Sequence, residues 1–411
     1  MKKLFFGAAA LLFTGAVFAQ NTSNSTQSGD DQRVYVRQAG TNLASDITQG
    51  NGSGLGSHRA MVWQRGDGSS SAIDQEGTNN QAYVDQSAFT PPTSASSTIN
   101  QGKNNTASAD NKASVRQHGG TGSVATLNQD GDENEASTHQ DGTSGVVDIT
   151  QDGTANKSLV LQSLLNYSAV GNVATINQTG TDNKSWASQD GDNNALSATQ
   201  SGTSNKVDQY QLGNGNTANS TQSGTNGKVK QVQVGDNNIN NLVFQTGNNN
   251  YSEDNQYGNG NEIFKGQQGS DNYGRIDQTG DDNYTSFGQY GTNSLGYVRQ
   301  IGDNNSMIMG QFAGNGNIAS SYQDDNNTGI VQQTGDDNQA LLVQKSQGGA
   351  GHNAGIYQSG NGNMADVLQL GPGGDFSADA ENCDFQEKVD LNCPTPLPEV
   401  VIGAPCPAPC I

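Results

Sequence analysis

Cysteine is missing from all but the end of this 411-residue chain: Cys383, Cys393, Cys406 and Cys410 fall in its last thirty residues. Disulfides therefore cannot order the long body of the protein. Positive charge is also scarce, with 19 Lys and Arg against 40 Asp and Glu. A surface so short of cations argues against nucleic acid as a partner. Hydrophobic residues make up only 31% of the chain, too little to fill a conventional globular core of this length. After residue 18 no stretch approaches the roughly twenty apolar residues a transmembrane helix needs, so no membrane insertion is expected. Catalytic signatures are lacking as well. His58, His118, His139 and His352 are scattered, and no His-Glu-x-x-His or Gly-Lys-Ser/Thr motif occurs. Each histidine is expected at the surface, no cofactor is implied, and the chain does not read as an enzyme.

The first nineteen residues carry Lys2 and Lys3, an apolar run from Leu4 to Phe18, and small residues before Ala19. They are expected to be a secretory signal peptide, which makes the mature protein exported. Its removal would leave 17 basic and 40 acidic residues, a formal charge of −23. Such a polar chain is either disordered or ordered by repetition in place of a large core.

Repetition is what the sequence has in abundance. Thirty glutamines from Gln27 to Gln369 serve as anchors, and 20 of their 29 spacings are eleven residues. Fifteen anchors complete the pattern Gln-x-Gly-x-x-Asn. Pairs of this kind are Gln129 with Asn134, Gln151 with Asn156, Gln178 with Asn183, Gln189 with Asn194, Gln200 with Asn205 and Gln211 with Asn216. They continue in Gln233 with Asn238, Gln245 with Asn250, Gln256 with Asn261, Gln267 with Asn272, Gln278 with Asn283 and Gln300 with Asn305. The intervening glycines are Gly180, Gly191, Gly202, Gly213, Gly224, Gly235, Gly247, Gly258, Gly269, Gly280, Gly291 and Gly302. They are expected in tight turns, where positive φ is tolerated.

Between Asn and the next Gln the residues alternate. Asn194, Leu196, Ala198 and Gln200 share one face, whereas Lys184, Trp186 and Ser188 in the preceding unit lie on the other. A period of two is the mark of a strand. If each Gly-containing arc reverses the chain, two units make a coil of 22 residues, with two short strands facing across a thin core. About fifteen such coils stacked in parallel would form an all-β solenoid without helix, roughly 70 Å long at about 4.8 Å per coil. Buried amides one coil apart can then hydrogen-bond as ladders. Longer spacings, near residues 52–60, 89–97, 101–117, 164–170 and 348–353, are expected to bulge from arcs, since an insertion within a strand would invert its facing.

The segment from Gln178 to Gln189 resembles the curlin repeat of bacterial curli fibre subunits, Gln-x-Gly-x-x-Asn-x-Ala-x-x-x-Gln. Asn134-Glu135-Ala136 and Asn216-Thr217-Ala218 supply that family's alanine, and Ser158, Ser185 and Ser252 resemble its inward serine. The resemblance covers residues 27–371. It implies a functional amyloid: a subunit exported through an outer-membrane secretion pore, started by a nucleator subunit, and polymerised with itself into cell-surface fibres of a biofilm. Familiar curlins have few repeats, and the Cys- and Pro-bearing tail at 372–411 has no counterpart in their pattern.

Around the repeats, residues 20–26 form a short polar segment. The tail cysteines admit disulfides, unpaired or intermolecular thiols, or a metal site, and four cysteines allow three pairings. Acidic arcs such as Asp190-Gly191-Asp192 and Asp281-Asp282-Asn283 read as solvated turns rather than calcium sites, because the nine-residue calcium-binding repeat is absent. Outward aromatics, Tyr83, Trp186, Tyr210, Tyr284 and Tyr297, suit lateral contacts between fibres. The rival readings are a monomeric surface adhesin or an ice-binding solenoid. Ice binding calls for a flat column of matching threonines, and the outward positions vary.

Overall fold

The computed structural model describes residues 20–50, 56–87, 93–102, 108–162, 169–346 and 350–371. Residues 1–19, expected to be a signal peptide, and all four cysteines lie outside the described residues. Within them the chain forms thirty strands, from β1 (Thr22–Gln27) and β2 (Arg33–Thr41) to β29 (Asn353–Ser359) and β30 (Met364–Leu370), with no helix. Odd-numbered strands make one fifteen-stranded sheet and even-numbered strands a second, each in sequence order. Neighbours within each sheet are parallel. The protein is a β-solenoid of about fifteen coils with two strands per coil.

The strand between Asn and Gln forms because its alternate residues have two different destinations. In β15 (Ala195–Thr203), Leu196, Ala198 and Gln200 are buried and their neighbours face outward. The same alternation recurs in β10 (Glu135–Gln140) and β12 (Lys157–Gln162). Polar residues at 20–26 do not form a separate segment, since Thr22–Gln27 is β1. The strand precedes its anchor glutamine, so the solenoid starts before Gln27.

Insertions are absorbed without loss of register. Gln86 and Gln117 lie 31 residues apart, yet their side chains bond across one coil step. The insertions at 51–55, 88–92, 103–107, 163–168 and 347–349 contain residues outside the described set, and the strands flanking them still pair Gln with Gln. Single extra residues also fall inside strands, away from those five longer spacings: one in β25 (Ser306–Asn315), where Ala313 separates the paired Phe312 and Gly314, and one earlier in the chain. In β19 (Ile239–Asn248) the pairing register shifts between Asn241 and Val243. This bulge lets Asn240 and Gln245 both remain buried, because an unpaired residue restores the facing that a simple insertion would invert.

The apolar core is thin and comes in two segments. One runs from Ile47 to Val229 and consists of Ala, Val, Ile and Leu. The other runs from Ile263 to Ile356 and includes Phe287, Met307 and Met309.

Candidate functional site

Chemistry that recurs in every coil is carried by the anchor glutamines. Each lies at or a few residues before the end of its strand and points inward, where both amide protons and the carbonyl oxygen need partners. In the odd-numbered sheet, Nε2 of each glutamine donates to Oε1 of the glutamine one coil later, in an unbroken series from Gln27 to Gln358. The even-numbered sheet holds a second unbroken series from Gln38 to Gln369. The links in the uniform stretch around Gln178, Gln200 and Gln222 measure 2.8 to 3.0 Å. The second Nε2 proton goes across the core to a backbone carbonyl of the facing sheet, as from Gln200 to Lys184 and from Gln211 to Ala195. Gln129, Gln151, Gln189, Gln233, Gln245, Gln256, Gln267, Gln278 and Gln300 all belong to these two ladders.

Both ladders have a direction. Every donor points toward the C-terminal coil. Among the described residues, Gln27 and Gln38 therefore carry Oε1 atoms with no glutamine donor before them. At the other end, Gln358 and Gln369 bond backwards to Gln339 and Asn353. Among the described residues, the terminal Nε2 groups have no glutamine acceptor beyond them.

The asparagines bond in the opposite sense. Asn156 donates its backbone N–H and its Nδ2 to Oδ1 of Asn134, at 3.0 and 3.1 Å. Asn183 and Asn205 extend this column. In the other arc, Asn194, Asn216, Asn238, Asn261, Asn283 and Asn305 form an equivalent series. Asn250 and Asn272 pair likewise. Asn134 Nδ2 also donates forward to the carbonyl of Gly153 in the next coil's arc. Unlike the glutamine ladders, the first column is interrupted. Gly227 and Ser294 stand in asparagine positions, donating their backbone N–H to Oδ1 of Asn205 and Asn272 but offering no side-chain amide to the next coil.

Glycine is required where arcs stack on arcs. Gly180 has φ +106°, and a Cβ there would strike the carbonyl of Gly202. The other turn glycines share this left-handed backbone, with the exception of Gly291. There the facing coil carries an extra residue, which pairs Gly291 with Gly314 across a register shift. In the acidic arc, backbone N–H groups bond to side-chain Oδ1 of the next coil, from Asp192 to Asn214 and on through Asp281 and Asp303.

Outward aromatics stack along the axis. Tyr251 and Tyr273 stack with ring centroids 5.0 Å apart and planes nearly parallel, and Tyr290 with Phe312 similarly at 5.6 Å. Tyr83 is not free for lateral contact, because it is 8% exposed and packs edge-on against Trp63.

Several polar residues have roles that the sequence reading missed. His58 is fully buried rather than at the surface, occupying an asparagine position where its Nδ1 accepts the backbone N–H of Asn80. Burial holds its imidazole below the usual histidine range. Between the two apolar segments, Lys265 Nζ lies 2.7 Å from Asp254 Oδ1, and both side chains are wholly buried. Lys265 also donates to the carbonyl of Gly274. Desolvation raises the Asp254 pKa and lowers that of Lys265, each opposed by the partner's charge. Gln209 and Gln231 add a short third amide ladder beside this pair.

No family model matches the chain, and no curated protein matches it.

Proposed function

We propose that this protein is the structural subunit of an extracellular, curli-like functional amyloid fibre, polymerising with itself to serve a biofilm matrix and adhesion. The observation that carries this reading is the polarity of the glutamine ladders. One end of the stack presents two amide oxygens and the other two amide N–H groups, at equivalent positions of the coil. Two identical end surfaces would place donor against donor, but a head-to-tail contact extends both ladders with the bond already used inside the molecule. A contact between two different surfaces that does not close on itself generates a filament.

The backbone supports the same contact. β1 and β2 are the outermost strands at one end, and β29 and β30 at the other. Among the described residues each outermost strand leaves peptide groups without a neighbour, which in a parallel stack invite another strand. Ala365 and Val367 at one end are apolar, as are Val34 and Val36 at the other. In such a fibre the secretion pore and nucleator are partners at export and initiation, and the subunit acts without catalysis or cofactor.

The test is seeded elongation. Gln358→Glu combined with Gln369→Glu replaces the terminal donors by carboxylates, which would face the oxygens of Gln27 and Gln38. Seeds carrying both changes are expected to lose growth from that end while retaining strand content by circular dichroism. Two-ended growth at the unaltered rate would contradict the ladder contact.

A further inference from the structure

One cluster on the outer face is unrelated to the ladders. His118 follows β8 (Lys112–Gln117), while His139 lies in β10 and Asp141 directly follows it. His139 pairs in register with Arg116, so the imidazoles come from consecutive coils. Coil stacking thus brings together residues that are 21 and 23 positions apart in the chain. Their rings are 5.1 Å apart and set edge to face at 77°. One ligand-capable atom from each of His118, His139 and Asp141 lies within 4.8 Å of those from the other two.

The bonding around these atoms is incomplete. Asp141 is 5% exposed, and its Oδ1 is buried without a hydrogen bond. His139 Nε2 approaches that oxygen to 3.2 Å, but off the N–H direction, and neither atom forms a hydrogen bond. His118 Nε2 is also buried without one, though 3.5 Å from Asp85 Oδ2. Asp85 itself is held by hydrogen bonds from Tyr83 and Ser87. Asp141 is thus a nine-tenths buried carboxylate whose Oδ1 lacks a hydrogen bond and faces two partly exposed imidazoles, a set with room for a further partner.

We propose that His118, His139 and Asp141 form a divalent transition-metal site that binds zinc. Two imidazoles and one carboxylate suit zinc, leaving a fourth tetrahedral position for water, while calcium and magnesium prefer all-oxygen sets. Bond lengths of about 2.0 to 2.2 Å suit donors spaced as His139 Nε2 and Asp141 Oδ1 already are, at 3.2 Å, and would draw the His118 donor in toward them. Asp85 lies behind His118 as a held neighbouring charge. The ion would join two consecutive coils through side chains, a link independent of backbone pairing and of the amide ladders.

Zinc titration of the full chain by calorimetry, in excess magnesium to occupy scattered carboxylates, tests the site. With the tail cysteines alkylated so that their thiols cannot bind zinc, one tight equivalent is expected. His118→Asn with His139→Asn should abolish it, and Asp141→Asn should weaken it by at least about tenfold, the scale on which even outer residues affect metal sites. Equal zinc binding by the wild type and the double histidine variant would overturn the proposal, as would no binding by the wild type. Copper substitution in the unaltered chain gives a readout that does not depend on the variants folding. Its paramagnetic resonance spectrum should show coupling to two imidazole nitrogens, and an all-oxygen spectrum would contradict the assignment.

Discussion

The two segments of the core solve the same packing problem differently. From Ile47 to Val229, medium aliphatic side chains alternate with Ala and Ser, so coils repeat with little change in volume. From Ile263 to Ile356, large side chains fill holes left by glycine on the facing sheet. A Cβ on Gly274 would come within 2.8 Å of both Lys265 and Phe287, and one on Gly329 within 2.7 Å of Leu342. Between the segments the apolar column gives way to Gln209, Gln231, Asn240, Asp254 and Lys265, all buried. Meanwhile the glutamine ladders pass through all three regions unbroken. Apolar packing is therefore adjustable from coil to coil, while the amide register is not.

The largest effect should come from breaking the junction. Asp254→Ala strands the Lys265 ammonium in the core and is expected to cost about 3 to 5 kcal/mol, whereas Asp254→Leu with Lys265→Met should be neutral or stabilising. Denaturant unfolding distinguishes the two. A mild loss in the single variant would mean that the pair does not separate the segments as described.

Asp208 tests the first segment by pH. Burial raises its pKa to about 6, against the opposing charges of Lys230 and Lys206. A carboxyl raised in the folded state favours the protonated form there, so its stabilising contribution is full below the unfolded value near 3.8 and is lost as pH rises through about 6. Asp208→Asn should therefore gain up to about 3 kcal/mol at pH 7 and nothing near pH 3.5. Parallel stability curves for the two proteins would contradict this.

Smaller changes sharpen the contrast in packing style. Gly296→Ala pushes a methyl group into the Phe287 ring and should destabilise by about 1 to 3 kcal/mol. Ser185→Ala in the first segment should be neutral or slightly stabilising, because the buried Ser185 Oγ has no hydrogen-bond partner. Thermal unfolding should fall for Gly296→Ala and hold or rise slightly for Ser185→Ala, and equal losses would remove the distinction.

Most of this architecture was legible because a two-residue alternation inside an eleven-residue period leaves few alternatives. Gln178, Gly180 and Asn183 mark a ladder, an arc and a second ladder from their spacing alone. What escaped notice was what depends on a partner one coil away. His118 and Asp141 seem unrelated in a linear reading, though residues about 22 apart are neighbours in a coil of that length, and this arithmetic was a usable signal. Lys265 sits at a core position where any pattern reading calls for an apolar residue, and only the facing Asp254 and Gly274 make it tolerable. The β19 bulge was hidden because a twelve-residue spacing does not say whether the added residue lies in an arc or in a strand.

Electron microscopy of the purified chain as it assembles tests most directly whether the two ends of the ladders are complementary. The expected result is filaments that lengthen with time far beyond the roughly 70 Å of one fifteen-coil rod. A population that stays at single-rod length at high concentration, with both glutamine ladders intact, would contradict it.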